Sequence, residues 1–173
     1  MTEVTGPGYR LILGDCLDVL PTLGKVDAII CDPPYGTTAC AWDTVIPFAP
    51  MWDGVRHVLK PRGAAVFFAS QPFTSALVMS NPKWFKYAWV WDKKIAAGFQ
   101  IAKVRPMIRH EDVCVFGSGA INYYPVVIQR KIPRKVGGYG AGTSATSPLA
   151  NPDGRTRVST FSYPNSFIEV SNA

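Results

Sequence analysis

Apolar positions change period several times along the chain, and each change predicts an element. Tyr9 to Leu13 is a short apolar run closed by Gly14-Asp15, which reads as a strand ending in a turn. Asp15 is placed to cap a short helix carrying Leu17, Val19, Leu20 and Leu23. Val26 to Cys31 is a β-branched run without helical period, which predicts a strand buried on both faces, as in a parallel sheet. It breaks at Asp32-Pro33-Pro34-Tyr35. Met51, Trp52, Val55, Val58 and Leu59 form one apolar helical stripe; Pro50 suits the first helical position, and Pro61 and Gly63 stop the helix. Ala64 to Ala69 predicts another strand, so strand, helix and strand make a βαβ unit with parallel strands. Gln71-Pro72 opens a third helix that runs through Ser80 and ends at Asn81-Pro82. Tyr87 to Trp91 and Asp112 to Phe116 predict two further strands, paired as a hairpin. After Gln129 the period disappears. Residues 130–160, rich in Gly, Ser, Thr and Pro, predict a structureless stretch, which at about 30 residues is functional or disordered in a compact domain.

Composition narrows the class. The 173 residues amount to one domain or most of one, and 47% apolar against 17% charged residues can bury a core. No apolar stretch approaches the roughly 20 residues of a membrane helix, so no membrane partner is expected. Met1-Thr2-Glu3-Val4 lacks the basic and apolar regions of a secretory signal, and Cys16, Cys31, Cys40 and Cys114 form no C-x-x-C pair. Reduced thiols in a cytosol are therefore expected. His57 and His110 stand alone, so no metal site is expected; a packing role suits His110 better than that of a catalytic base. Charge is unevenly placed: residues 1–82 hold five Lys/Arg against seven Asp/Glu, and residues 83–173 hold thirteen against five. A basic half suits a polyanion, although solubility alone explains it equally well.

The chemistry concentrates at Asp32-Pro33-Pro34-Tyr35, at the C-terminal end of a predicted parallel strand, where open α/β sheets place ligands. Two prolines stiffen the backbone and supply no N–H, so the Pro33 carbonyl can be presented as an acceptor beside the Asp32 carboxylate. Tyr35 adds a flat face. Two acceptors and a ring suit an exocyclic NH₂ on a planar base. Taking both its hydrogens localises a lone pair that is otherwise delocalised, and the nitrogen can then attack a methyl group in line. The base must first leave the duplex, at a cost of a few kcal/mol, of which stacking on Tyr35 returns roughly 1–3 kcal/mol. The plainer reading of the tetrapeptide is a tight turn.

Several motifs in order resemble one family. Gly14-Asp15-Cys16-Leu17, Asp32-Pro33-Pro34-Tyr35-Gly36, Trp42-Asp43, Leu59-Lys60-Pro61-Arg62-Gly63, Trp89-Val90-Trp91-Asp92-Lys93, His110-Glu111-Asp112 to Phe116 and Tyr163-Pro164-Asn165-Ser166 cover nearly the whole chain. They resemble the DNA amino-methyltransferases of permuted, beta-class-like order, in which the catalytic motif precedes the cofactor loop. The resemblance implies an α/β fold: an incomplete Rossmann-like class I methyltransferase sheet with helices on both faces and a basic, loop-rich insert. It implies S-adenosylmethionine as cofactor and double-stranded DNA as partner. Asp32, Pro33, Pro34 and Tyr35 become the catalytic residues, and Asp15, Cys16 and Asp32 the cofactor contacts. Gly36, Trp42, Lys93, Arg130, Lys131, Arg134, Lys135, Arg155 and Arg157 become the DNA contacts. Asp in the first motif position is the N6-adenine habit; N4-cytosine enzymes more often carry Ser there.

The chain departs from the family at its end. Relatives continue past Tyr163-Pro164-Asn165-Ser166 into an Asp-Pro-Phe-x-Gly-Ser-Gly cofactor loop, and this sequence stops at Ala173 without one. Phe116-Gly117-Ser118-Gly119 reads as a turn, and Gly137 to Gly142 as a loop or linker. The expected division is a catalytic part over 1–129, a target-recognition insert over 130–162 and a return segment over 163–173. A two-strand gap is expected between the strands at 9–13 and 26–31, leaving an exposed edge. Weak or absent cofactor binding by the chain alone is expected, under any of three readings: the chain is a fragment of a longer enzyme, a second polypeptide or second copy completes the sheet, or the chain is a decayed remnant. The expected setting is the cytoplasm of a prokaryotic or phage-infected host, close to its nucleoid. N4-cytosine methylation and an inactive DNA-binding remnant stand as alternatives. RNA guanine and protein glutamine methyltransferases place their glycine loop upstream of a similar tetrapeptide, where this sequence has none.

Overall fold

The computed structural model describes residues 1–136 and 157–170. The chain divides into two compact units, one of Met1–Asn122 with Ser166–Ala173 and one of Tyr123–Asn165. Among the described residues no helix is long and apolar enough to cross a membrane.

The first unit opens with a hairpin of β1 (Thr2–Gly6) and β2 (Tyr9–Leu13), turned at Pro7-Gly8, where Gly8 takes φ +80°. The sequence reading missed β1, although Pro-Gly is a strong turn signal. Asp15 then caps α1 (Cys16–Val19), its carboxylate accepting from the Leu17 amide at 2.8 Å. β3 (Val26–Cys31), α2 (Phe48–Val58) and β4 (Leu59–Ala69) form the expected βαβ unit, with β3 and β4 parallel. α2 begins two residues before Pro50. Proline is tolerated there because the first-turn N–H groups have no intrahelical partner. Pro61 and Gly63 fall inside β4 rather than in a loop. The β3 register shifts between Val26 and Ala28 to absorb them, and Gly63 sits where a Cβ would be 2.9 Å from the Asp27 carbonyl. α3 (Phe73–Ser80) follows, then β5 (Phe85–Ala97) antiparallel to β6 (Ile108–Phe116). A short strand the sequence did not predict, β9 (Phe167–Glu169), adds parallel to β5. The sheet order is β3-β4-β6-β5-β9.

This is a mixed α/β fold. Met51, Trp52 and Val55 of α2 and Phe73 and Leu77 of α3 are buried against Ala65, Phe67, Ala69, Cys114 and Phe116 on one face. β3 is not buried on both faces as expected. It pairs with β4 alone, its Ile29 and Cys31 pack on the core, and Ile30 is 74% exposed. Its apolar composition suits a strand with two neighbours, but among the described residues only one edge has a neighbour. β1 and β2 pair with each other and not with β3.

The second unit holds β7 (Ile128–Val136) and β8 (Arg157–Ser162), paired antiparallel with a register shift between Gln129 and Arg134. This corrects the reading of 130–136 and 157–160 as structureless; residues 137–156 lie outside the described residues. A two-stranded ribbon has no core to impose alternation: Ile132 is 81% exposed and Val158 63%, so the apolar period is lost in the sequence. Arg155 and Gly137 to Gly142 lie outside the described residues.

Candidate base-binding pocket

β3 ends at Cys31, and Asp32-Pro33-Pro34-Tyr35 carries the chain off its C-terminal end. Asp32 is exposed and Pro33 buried. The Tyr35 ring stacks on Phe73, the first residue of α3, with centroids 5.2 Å apart and planes at 23°. One face of the ring is therefore committed to the core. Its hydroxyl donates to Asp32 Oδ1 at 2.7 Å, while Oδ2 accepts no hydrogen bond among the described residues. Burial, then the bond to Asp32, pushes the Tyr35 hydroxyl well above the usual phenol range, so it stays a donor. Burial, reinforced by the charges of Cys16 and Asp32, raises the adjacent Cys31 thiol to about 11, so it stays neutral near pH 7.

The loop beyond the tetrapeptide is held by one side chain. Asp43, 8% exposed, accepts from the amides of Gly36 (2.8 Å), Thr37 (2.9 Å) and Thr38 (2.7 Å). The Gly36 amide, with the Thr38 hydroxyl and the other amides, lowers its carboxyl to about 2. Gly36 takes φ +68°, and a Cβ there would stand 2.9 Å from Val45 Cγ2. Gly36→Ala is therefore expected to lower stability by about 1–2 kcal/mol, the cost of a left-handed alanine. A denaturant midpoint unchanged from the parent would contradict this.

Asp32, Pro33, Pro34, Tyr35, Thr37, Thr38, Trp42 and Asp43 enclose a pocket of about 310 Å³. That lies at the small end of the roughly 300–1,000 Å³ of ligand pockets. Trp42 is 74% exposed and stands at its wall. The corner is thus open, and all four residues of the tetrapeptide line it. The sequence reading missed Thr37, Thr38 and Asp43 as parts of the pocket, and Phe73 as the support of Tyr35.

The other predicted residues are dispersed. Asp15 and Cys16 do not line the pocket; the Asp15 carboxylate is engaged in capping α1, and Cys16 is exposed. Lys93 donates to Glu111 at 2.6 Å and lies 5.7 Å from the Trp91 ring centroid. Asp112, next to Glu111, pairs with Ala69 at the C-terminal end of β4, which puts this pair at the tetrapeptide's end of the sheet. Next to it Asp92, 5% exposed, takes both 2.7 Å bonds of the Arg109 guanidinium and the Lys94 amide at 2.8 Å. Arg109 first, then Lys94, holds the Asp92 carboxyl far below the usual range. Lys94 also bridges to Glu169 of β9 at 3.0 Å. In the second unit Arg130 donates to the Phe161 carbonyl at 3.0 Å. Lys131, Arg134 and Lys135 lie exposed along β7, and Arg157 begins β8.

No protein-family model and no curated protein matches this chain. Among solved structures, the chain is similar to the crystal structure of the M1.HpyAVI-SAM complex. The TM-score is 0.48 at 21% identity, over 69% of this chain and 58% of that one. It is also similar to the crystal structure of M1.HpyAVI, with a TM-score of 0.46 at 21% identity over 62% and 54%. The chain thus spans a little over half the length of these structures.

Proposed function

We propose that this chain supplies the target-base half of an S-adenosylmethionine-dependent DNA methyltransferase acting on the N6 amine of adenine. The observation that carries the reading is the open pocket at the end of β3, walled by Asp32-Pro33-Pro34-Tyr35 and Trp42, with one Asp32 oxygen unengaged among the described residues. Asp32 Oδ2 and the Pro33 carbonyl accept the two amine hydrogens, which concentrates the lone pair on nitrogen. Tyr35, braced by Phe73, flanks the base, and Trp42 offers a stacking surface at the rim. Transfer needs position and electrostatics rather than a covalent enzyme intermediate.

S-adenosylmethionine, when bound, would supply the methyl group as its C–S bond breaks and S-adenosylhomocysteine leaves, and the methylated amine would give up one of its two protons to solvent. Asp15 and Cys16, the cofactor's contacts by resemblance, do not join the pocket, so no step is assigned to them.

The test is single-turnover incubation of excess chain with labelled S-adenosylmethionine at high concentration and DNA, followed by separation of the methylated bases. Label in N6-methyladenine is expected. Label in N4-methylcytosine would replace adenine by cytosine as the target. Fluorescence from captured 2-aminopurine DNA without any label would reduce the chain to a base-binding module. Absence of both signals would sink the reading.

The second unit, with six Lys/Arg against one Asp, is proposed to grip phosphate. Binding of duplex DNA, followed by anisotropy across a salt series, is expected to weaken by about 0.9 log units per log unit of salt for each phosphate neutralised. A salt-independent affinity would exclude an electrostatic grip.

A further inference from the structure

We infer that Asp43 is a positioning residue whose carboxylate, closed around the amides of Gly36, Thr37 and Thr38, holds Trp42 at the rim of the base pocket. The inference deepens the proposed function and rests on it for the identity of the ligand. Asp43 fastens both ends of the rim. Its side chain collects three successive amides immediately after the tetrapeptide. Its own backbone amide closes a turn on the Cys40 carbonyl at 3.0 Å, and Trp42 is the residue just before it in that turn. The Thr38 hydroxyl accepts from the Cys40 amide at 3.4 Å, tying the two ends together. A large ring 74% exposed has little packing to hold it, so its direction depends on the backbone that carries it. Only an ionised carboxylate offers enough acceptor positions for three donors without carrying a donor of its own; an amide replaces one oxygen by NH₂.

Asp43 touches no reacting atom. Its action on the base runs through Trp42 and through the backbone that lines the pocket.

The test uses the full chain labelled with fluorotryptophan, with Trp42→Phe identifying the Trp42 fluorine resonance. In Asp43→Asn that resonance is expected to move toward the position of the free amino acid while the other four stay in place. Affinity for an adenine-rich single strand carrying 2-aminopurine is expected to fall about tenfold or more, the scale of one lost base stack. An unmoved Trp42 resonance with unchanged affinity in a folded Asp43→Asn chain overturns the inference. A moved resonance, in a protein whose parent captures no aminopurine, supports the positioning role and removes the base-binding reading instead. If Asp43→Asn does not fold, hydrogen exchange in the parent decides. Protected Gly36, Thr37 and Thr38 amides support the inference, and exchange at the rate of free amides overturns it.

Discussion

Asp32→Ala is expected to cut the label appearing in N6-methyladenine by about 10²–10³-fold or more, the range found when one preorganised polar group facing developing charge is removed. The side chain is exposed, and its one hydrogen bond is to the Tyr35 hydroxyl, so the fold has little invested in it. The melting temperature and the salt-dependent DNA affinity should therefore stay near those of the parent, within the roughly 0.5 kcal/mol typical of surface changes. Asp32→Asn sharpens the test. It keeps the shape but turns one acceptor into a donor, which opposes an incoming amine. It should fail nearly as completely as alanine if acceptance of the amine hydrogens is what matters. A turned-over Asp32→Asn chain with activity close to the parent would show that the carboxylate does not receive the amine, and the proposed function would lose its central residue.

The parts of this site that a reader of the sequence can see are the local ones. β2 and β3 span the residues their apolar runs predict, and α3 ends at Ser80 before Asn81-Pro82, because each is bounded by turn or helix-stop residues next to it in sequence. Asp32-Pro33-Pro34-Tyr35 was legible because prolines constrain their own backbone. Asp43 stood out only as part of the Trp42-Asp43 motif, and its task was not legible: its partners are three backbone amides, and an amide leaves no trace in residue identity. A short Asp after Gly-Thr-Thr and before a strong apolar run is the faint signal available. The pairing of Lys93 with Glu111 was not legible either, because the partner comes from β6, eighteen residues on, through an antiparallel register no local pattern specifies. β9 is three residues long and exists only by pairing with β5 across the second unit's sequence. The one-sided burial of β3 was hidden for a related reason. Composition reports what a strand is suited to pack against, while exposure depends on which neighbours are in place.

The largest loss of stability is expected from Trp52→Ala, about 3–5 kcal/mol for a buried Trp truncated to Ala. At this chain length that corresponds to a fall in melting temperature of roughly 6–20 °C. Trp52 of α2 is 3% exposed, and its ring meets those of Phe67 in β4 at 5.5 Å, Phe116 in β6 at 4.9 Å and Trp84 at 6.3 Å. Its Nε1 donates to Ser80 Oγ at 2.8 Å, and that hydroxyl donates on to the Leu77 carbonyl at 2.7 Å, joining α2 to the end of α3. Trp52→Phe keeps an aromatic ring in the core but abandons the Ser80 hydroxyl, and should cost about 1–2 kcal/mol, mostly the unpaired bond. The order Ala well below Phe, Phe below parent, is the signature of packing with a hydrogen-bonded tip. Equal losses for the two would assign the effect to the bond instead. The same core carries the pocket, since Phe73 at the other end of α3 braces Tyr35. Trp52→Ala should therefore weaken aminopurine capture and lower the melting temperature together. Asp32→Ala should lose chemistry alone, and a Trp52→Ala chain that melts early yet captures the base normally would separate the pocket from the core that is held to support it.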